Sequence, residues 1–299
     1  MAMKILRASH LGMCFGVRDA ITLARHEAQQ HPVTVLGDLV HNETVLADLR
    51  DRGVRVERDL DAVGTETVMI TAHGASERRI ASVRERGHRV IEATCPLVRF
   101  AHAKIQELAR AGCHPVIVGQ REHVEVRGLV EDLEAFDVVL TEAEIDALAP
   151  RARFGVASQT TQPEARVAAL VARLRSRFPE AEVRVAETVC LPTRQRQRAA
   201  EELAQQSTVV VVIGGAHSNN TRELARTCGR FCRRVHQVQT AADLSPDWFH
   251  ADDVVGITAG TSTPDLLIAG VEQRLREWSE ASVFDAAPSG RLACASRFA

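Results

Sequence analysis

Three cysteines are each followed, at a nearly fixed distance, by the same features. Cys14, Cys95 and Cys190 each open a helical stretch that leads to a short apolar strand. Those strands close on Gly37, Gly119 and Gly214, separations of 23, 24 and 24 residues (14 to 37, 95 to 119, 190 to 214). Four residues beyond each glycine comes a polar side chain: His41, His123 and Ser218. Thiols that recur in one register can share a centre, and three convergent thiolates suit a soft metal, either zinc or iron–sulfur. Each stands at the start of a helix, whose N-terminal dipole favours a thiolate. Pro96, directly after Cys95, is a favoured first helical residue. Three protein ligands on a four-iron cluster leave one iron open, where a substrate hydroxyl can bind.

Around the thiols the same register predicts a polar shell. His41, His73 and His123 supply ring donors, while Ser218, Asn219, Asn220 and Ser262 supply neutral ones. Loops that precede helices add backbone N–H groups. Such a shell suits a strongly anionic group, for example a diphosphate. Neither GxxxxGK[ST] nor GxGxxG occurs, so an ordinary nucleotide site is not indicated. Glu125, two residues after His123, is the carboxylate closest to the shell. Burial beside a negative centre would raise its pKa and suit it to proton donation, with Thr160 as a relay. Cys113, Cys228, Cys232 and Cys294 fall outside the register and read as buried thiols.

These side chains need elements to place them, and the chain compared with itself supplies those elements. Each unit runs on through a helical segment to a strand that ends in a small polar turn: TAHGAS at 71–76, ASQTTQ at 157–162 and TAGTSTPD at 258–265. Helices follow from Glu77, Pro163 and Pro264. Two of the cysteines are preceded by EATC (92–95) and ETVC (187–190). Short apolar strands alternating with helices imply an α/β protein with parallel sheets covered by helices. The three α/β domains would span 15–94, 95–189 and 190–283. The strand within 1–14 completes the third, and 284–299 forms an irregular tail. Ligands of such sheets bind at the carboxyl ends of the strands, where every residue named above falls.

Composition narrows the function classes. The 299 residues are 45% hydrophobic and 25% charged, with a net charge of −2, ordinary values for a globular protein. No basic block interleaved with aromatics is present, so nucleic acid is not an expected partner. No apolar run approaches the ~18 residues of a membrane helix, and the N-terminus carries no secretory pattern, so a cytoplasmic protein without membrane contact is expected. Seven cysteines in that compartment argue for metal ligands or thiols over disulfides.

Nearly the whole chain resembles the 4-hydroxy-3-methylbut-2-enyl diphosphate reductases, the IspH or LytB family. The resemblance rests on GMCFGV (12–17), VHNETV (40–45), TAHGAS (71–76), EATCPLV (92–98), EHVEVRG (122–128), QTT (159–161), ETVC (187–190), SNN (218–220) and TAGTSTPD (258–265), in that order. It implies a three-domain, pseudo-threefold trefoil around one [4Fe-4S] cluster on Cys14, Cys95 and Cys190. It further implies reductive removal of a hydroxyl from an allylic diphosphate, giving isopentenyl and dimethylallyl diphosphates, with electrons from ferredoxin or flavodoxin. By motif, His41, His73, His123, Ser218, Asn219, Asn220 and Ser262 would hold the diphosphate, Thr160 would contact the substrate, and Glu125 would deliver the proton.

Four positions differ from the commonest family pattern: Asn219 in place of a second serine, Val124 in place of a proline, Phe15 after the first cysteine, and Leu191–Pro192 after the third. Two other functions fit the same residues, a paralogue acting on another allylic diphosphate and a non-catalytic iron–sulfur sensor of a diphosphate metabolite. Retention of both Glu125 and Thr160 speaks against the sensor, since binding alone requires no proton relay.

Overall fold

A computed structural model describes residues 3–281; the expected tail at 284–299, with Cys294 and the last residues of the third expected domain, lies outside the described residues. The chain opens with β1 (Lys4–Arg7) and then runs through three similar α/β units. The first contains α1 (Phe15–Gln30), β2 (Val33–Leu36), α2 (Glu43–Asp51), β3 (Arg55–Glu57), β4 (Thr67–Ile70), α3 (Glu77–Glu85) and β5 (Arg89–Glu92). The second contains α4 (Pro96–Arg110), β6 (His114–Val118), α5 (Val124–Glu131), β7 (Asp137–Val139), α6 (Glu142–Asp146), β8 (Arg153–Ser158), α7 (Glu164–Arg177) and β9 (Glu182–Val185). The third contains α8 (Leu191–Gln205), β10 (Val209–Ile213), α9 (Asn219–Gly229), β11 (Val235–Val238), β12 (Val254–Ala259) and α10 (Asp265–Glu280).

Each unit carries one four-stranded sheet, ordered β3-β2-β4-β5, β7-β6-β8-β9 and β11-β10-β12-β1. Every pairing is parallel. The central strands are buried on both faces; all five residues of β10 are buried valines and an isoleucine, the continuous apolar run a helix-covered parallel strand requires. The three orders are one order, with β1 taking the edge position that β5 and β9 take elsewhere. Each of these edge strands leads directly into a cysteine and the first helix of the next unit. The cysteines therefore sit at the three joints between units.

Helix starts fall slightly off the sequence expectation, and the caps explain why. Cys14 has an extended backbone (φ −80°, ψ 164°), and α1 begins directly after it at Phe15. Pro163 and Pro264 are themselves extended caps, and α7 and α10 begin one residue later than expected. Units are also tied across their joints. The Asp132 carboxylate, just past α5, accepts from the backbone N–H groups of Glu77 and Arg78 at 2.7 and 3.1 Å, capping α3 of the neighbouring unit. Arg166 of α7 pairs with the buried Glu223 of α9 at 3.2 Å.

Candidate functional site

The three cysteines occupy equivalent positions. Each is the N-cap of its unit's first helix, α1, α4 or α8. Each donates its backbone N–H to the polar turn after a unit's third strand: Cys14 to Thr261 at 3.0 Å, Cys95 to Ala72 at 3.1 Å and Cys190 to Thr160 at 3.0 Å. Burial pushes the Cys95 thiol up, opposed by the backbone N–H groups of Leu97 and Val98 and reinforced by Cys14 and Glu125. Burial pushes Cys190 to about 11, opposed by the Thr193 hydroxyl, 3.0 Å from its sulfur, and reinforced by Glu125 and Cys14. The thiols and Glu125 thus share one electrostatic neighbourhood. Gly16 lets α1 approach closely, since a Cβ there would stand 2.5 Å from the Cys95 sulfur.

The donor set has the character of a soft-metal site. Three thiols at three helix N-termini favour a negatively charged centre. A tetrahedral zinc ion with Zn–S of 2.3 Å would hold its sulfurs about 3.8 Å apart. Among the described residues only the histidines bring three potential ligand atoms within 4.8 Å of one another, so the thiol trio is wider than a single tetrahedral zinc ion requires. A buried cation bears on the site: Arg196 is 7% exposed and, among the described residues, donates only to carbonyl oxygens, of Gly12 and Pro192. A buried charge without a counter-charge is strongly unfavourable; burial lowers the Arg196 pKa, and Cys14 and Cys190 oppose that shift.

Beside the thiols lies a cavity of about 40 Å³, lined by His41, His73, His123, Glu125, Ser218, Asn219, Asn220 and Ser262 together with Val17, Val40, Thr161 and Thr261. The three imidazole centroids stand 4.5, 5.3 and 5.5 Å apart. Burial lowers all three pKa values, that of His73 well below its usual range and that of His123 to about 3. Neutral imidazoles at this spacing invite a metal, but His123 argues otherwise. Its Nδ1 accepts from the Glu125 N–H at 3.2 Å, so Nε2 carries the proton and faces a ligand as a donor. His41 Nε2, His73 Nδ1 and Asn220 Nδ2 are buried without a partner. His123 and Ser218 are the N-caps of α5 and α9, and Asn42, next to His41, caps α2. Ring donors, amide and hydroxyl donors and three helix N-termini converge, an arrangement made for an anion.

Glu125 is 2% exposed, and burial raises its pKa from 4.5 to about 7. Thr160 bonds both of its oxygens, through its N–H at 2.6 Å and its hydroxyl at 3.1 Å. Since the Thr160 carbonyl accepts from the Cys190 N–H, one residue links the acid to a thiol joint. Thr161, and not Thr160, is among the cavity-lining residues. Asn219 lines the cavity, but its carbonyl oxygen accepts from Gln120 at 2.8 Å and its amide reaches Thr161 at 3.5 Å. Phe15 and Leu191 are 46% and 61% exposed. Cys113, Cys228 and Cys232 are buried thiols in the described structure, with Cys228 pushed up to about 12 by burial.

Sequence reasoning missed Arg196, Gly16, Gln120 and Thr161. Arg196 had one available signal, an arginine six residues after a candidate ligand; Gly16 and Thr161 lie inside the runs GMCFGV and QTT, and Gln120 had no signal.

A family model described as LytB protein matches residues 5–276. The chain is 38% identical over 275 residues to the 4-hydroxy-3-methylbut-2-enyl diphosphate reductase of Trichlorobacter lovleyi, covering 91% of this chain and 98% of that protein. It is 36% identical over 277 residues to that of Pelobacter propionicus, covering 92% and 98%. Among solved structures it resembles (E)-4-hydroxy-3-methyl-but-2-enyl diphosphate reductase, the terminal enzyme of the non-mevalonate pathway, with a TM-score of 0.67, 34% identity, and coverage of 93% of this chain and 100% of that one. It also resembles the E-1-hydroxy-2-methyl-but-2-enyl-4-diphosphate reductase from Plasmodium falciparum, with a TM-score of 0.83, 25% identity, and coverage of 94% and 88%.

Proposed function

We propose, from the premise that this chain belongs to the LytB protein family, that it is a reductase that removes the hydroxyl of 4-hydroxy-3-methylbut-2-enyl diphosphate, giving isopentenyl and dimethylallyl diphosphates. The reaction breaks a C–O bond, forms a C–H bond and releases water, consuming two electrons and two protons. Cys14, Cys95 and Cys190 would hold one [4Fe-4S] cluster. Bound there, the cluster supplies single-electron transfer and Lewis acidity at an iron without a protein ligand. The electrons reach it from a carrier protein, ferredoxin or flavodoxin, and free thiolate ligands of this kind belong to the reducing cytoplasm.

The protein's own groups do the rest. His41, His73, His123, Ser218, Asn220 and Ser262 hold the diphosphate, with Asn219 fixing the joint between the second and third units through Gln120 and Thr161. Because the imidazoles are neutral near pH 7, they act as hydrogen-bond donors, and positive potential comes from the helix N-termini and from the Arg222 guanidinium, which acts on both His41 and His123. Glu125, poised near neutrality, donates the proton that lets the hydroxyl depart as water. The Thr160 hydroxyl can donate to Glu125 or accept from it, so it restores the proton without moving the acid. A cavity of about 40 Å³ has room for a few waters, so substrate binding requires the lining side chains to move apart.

The observation that carries this reading is Glu125, buried, pushed to about 7 and linked through Thr160 to a thiol joint. The test is anaerobic incubation of the iron-loaded protein with the hydroxylated five-carbon diphosphate and reduced methyl viologen, with the products identified. Reductant consumption together with formation of the two five-carbon diphosphates is expected. Tight substrate binding with no turnover would replace the enzyme by a sensor.

A further inference from the structure

The α8 helix carries three arginines in its second and third turns, and they are treated differently. Arg194 and Arg198, on its outer side, pair with the Glu164 carboxylate at 3.5 and 3.8 Å. Arg196 is buried, and no carboxylate pairs with it among the described residues. Its Nε and Nη2 both donate to the Gly12 carbonyl, at 3.0 and 2.6 Å, and its Nη1 donates to the Pro192 carbonyl at 2.9 Å. Gly12 lies two residues before Cys14, and Pro192 two residues after Cys190. Gly12 has φ +78°, a left-handed conformation that favours glycine. A Cβ there would also stand 2.8 Å from Ile268. The loop carrying Cys14 therefore turns through a position that disfavours any side chain, and the carbonyl there is gripped by a guanidinium fork.

We propose that Arg196 is the positioning residue of the thiol site: its guanidinium locks the Cys14 loop onto the first turn of the Cys190 helix and places a fixed positive charge beside the negative centre those residues hold. The claim rests on the reading of the three cysteines as cluster ligands. It extends that reading, because it assigns the counter-charge to one side chain that does not line the anion cavity. A neutral side chain of similar length could fill the space but would leave two effects undone. It would release the Gly12 carbonyl, and it would remove the charge that favours the reduced, more negative form of the centre. Lysine keeps the charge but cannot span both carbonyls with a planar fork, so the pair of substitutions separates grip from charge.

The test uses full-length protein, loaded with iron and sulfide under anaerobic conditions, as wild type, Arg196→Lys and Arg196→Gln. Three quantities are read: iron per chain, the reduction potential by mediated titration, and the melting temperature of the metal-free chain. Arg196→Gln is expected to shift the reduction equilibrium at least tenfold toward the oxidised form, 59 mV for one electron. Arg196→Lys should stay within about threefold of wild type in potential while losing iron faster to a chelator. Equal potentials in wild type and Arg196→Gln would overturn the proposal.

If Arg196→Gln takes up no iron, Arg196→Lys decides. Retained iron at a near-wild-type potential supports the proposal, whereas loss of iron matched by an equal fall in the melting temperature of both variants assigns Arg196 to packing and overturns it. Wild type that binds no iron would instead sink the cluster reading itself, so the two failures are distinguishable.

Discussion

Glu125→Gln is the sharpest perturbation of the mechanism, because the substitution is nearly isosteric and its consequences have opposite signs in two assays. The folded pKa of about 7 stands above the 4.5 of the accessible carboxyl, a difference equivalent to about 3 kcal/mol. The folded state therefore binds more protons than the unfolded chain between these values. Stability is fully present below about pH 4.5 and is lost as the pH rises through 7. Glutamine cannot ionise, and its carbonyl can still accept from the Thr160 N–H. The variant should thus unfold at higher urea than wild type at pH 9 and at similar urea at pH 5. Catalysis should move the other way. Loss of a general acid lowers turnover by roughly 10² to 10⁴, while wild-type activity should itself fall about tenfold per pH unit above 7 as Glu125 loses its proton. The measurements are urea midpoints and anaerobic turnover from pH 6 to 9, with iron content as a control. Turnover of the variant within tenfold of wild type, or identical stability–pH profiles, would remove Glu125 as the proton donor.

Gly16→Ala should lower iron content several-fold while leaving the circular dichroism of the metal-free chain unchanged, because the new methyl meets the Cys95 sulfur at 2.5 Å; full iron loading would show that α1 does not define that ligand's position. Serine at Cys113, Cys228 or Cys232 should leave iron per chain at the wild-type level, and loss of iron in any one would break the assignment of ligands. The histidine trio is held neutral by burial, with His123 lowered to about 3, so the unfolded chain binds more protons below about pH 6.5 and stability is lost as the pH falls. His123→Asn keeps a capping side chain and should lose about 2 kcal/mol less than wild type between pH 7 and 4.5, read from urea midpoints; equal losses would mean that His123 does not titrate on unfolding.

The parts of this protein that repeat were legible in the sequence, and the parts that bridge were not. Cys14, Cys95 and Cys190 stood out because each begins the same run of helix, strand and polar turn. Val209–Ile213 reads as a buried strand from its composition alone. Glu125 and Thr160 came through because their motifs lie at fixed distances from those landmarks. Arg196 is different: its grip on Gly12 spans 184 residues, and within the run RQRQR (194–198) it looks like its neighbours. The closed Gln120–Asn219–Thr161 contact is likewise formed by residues from two units. Side-chain contacts across joints leave no period in a sequence, and only packing reveals which of several arginines is turned inward.

The repeat also shows where its symmetry has to stop. A helix N-cap stands 28 residues after each cysteine (14 to 42, 95 to 123, 190 to 218), and the three caps are alike in form: Asn42 accepts from the Val45 N–H at 3.2 Å, His123 from Glu125 at 3.2 Å and Ser218 from Thr221 at 3.3 Å. Two residues beyond the cap, the units differ. The first has Thr44, which is exposed; the second has the buried Glu125; the third has the buried Asn220, whose amide nitrogen lacks a partner. In the first unit His41 stands one residue ahead of the cap, which turns an imidazole, and not a carboxylate, into the cavity. A cavity for an anion cannot tolerate an acid from every unit, since three buried carboxylates would repel the ligand and one another. One acid is tolerated because its pKa lies near 7 and it can enter the reaction protonated. On the proposed reading, the repeated scaffold would bring three thiols to one centre and three helix N-termini to one anion, while the single departure at Glu125 would supply the proton.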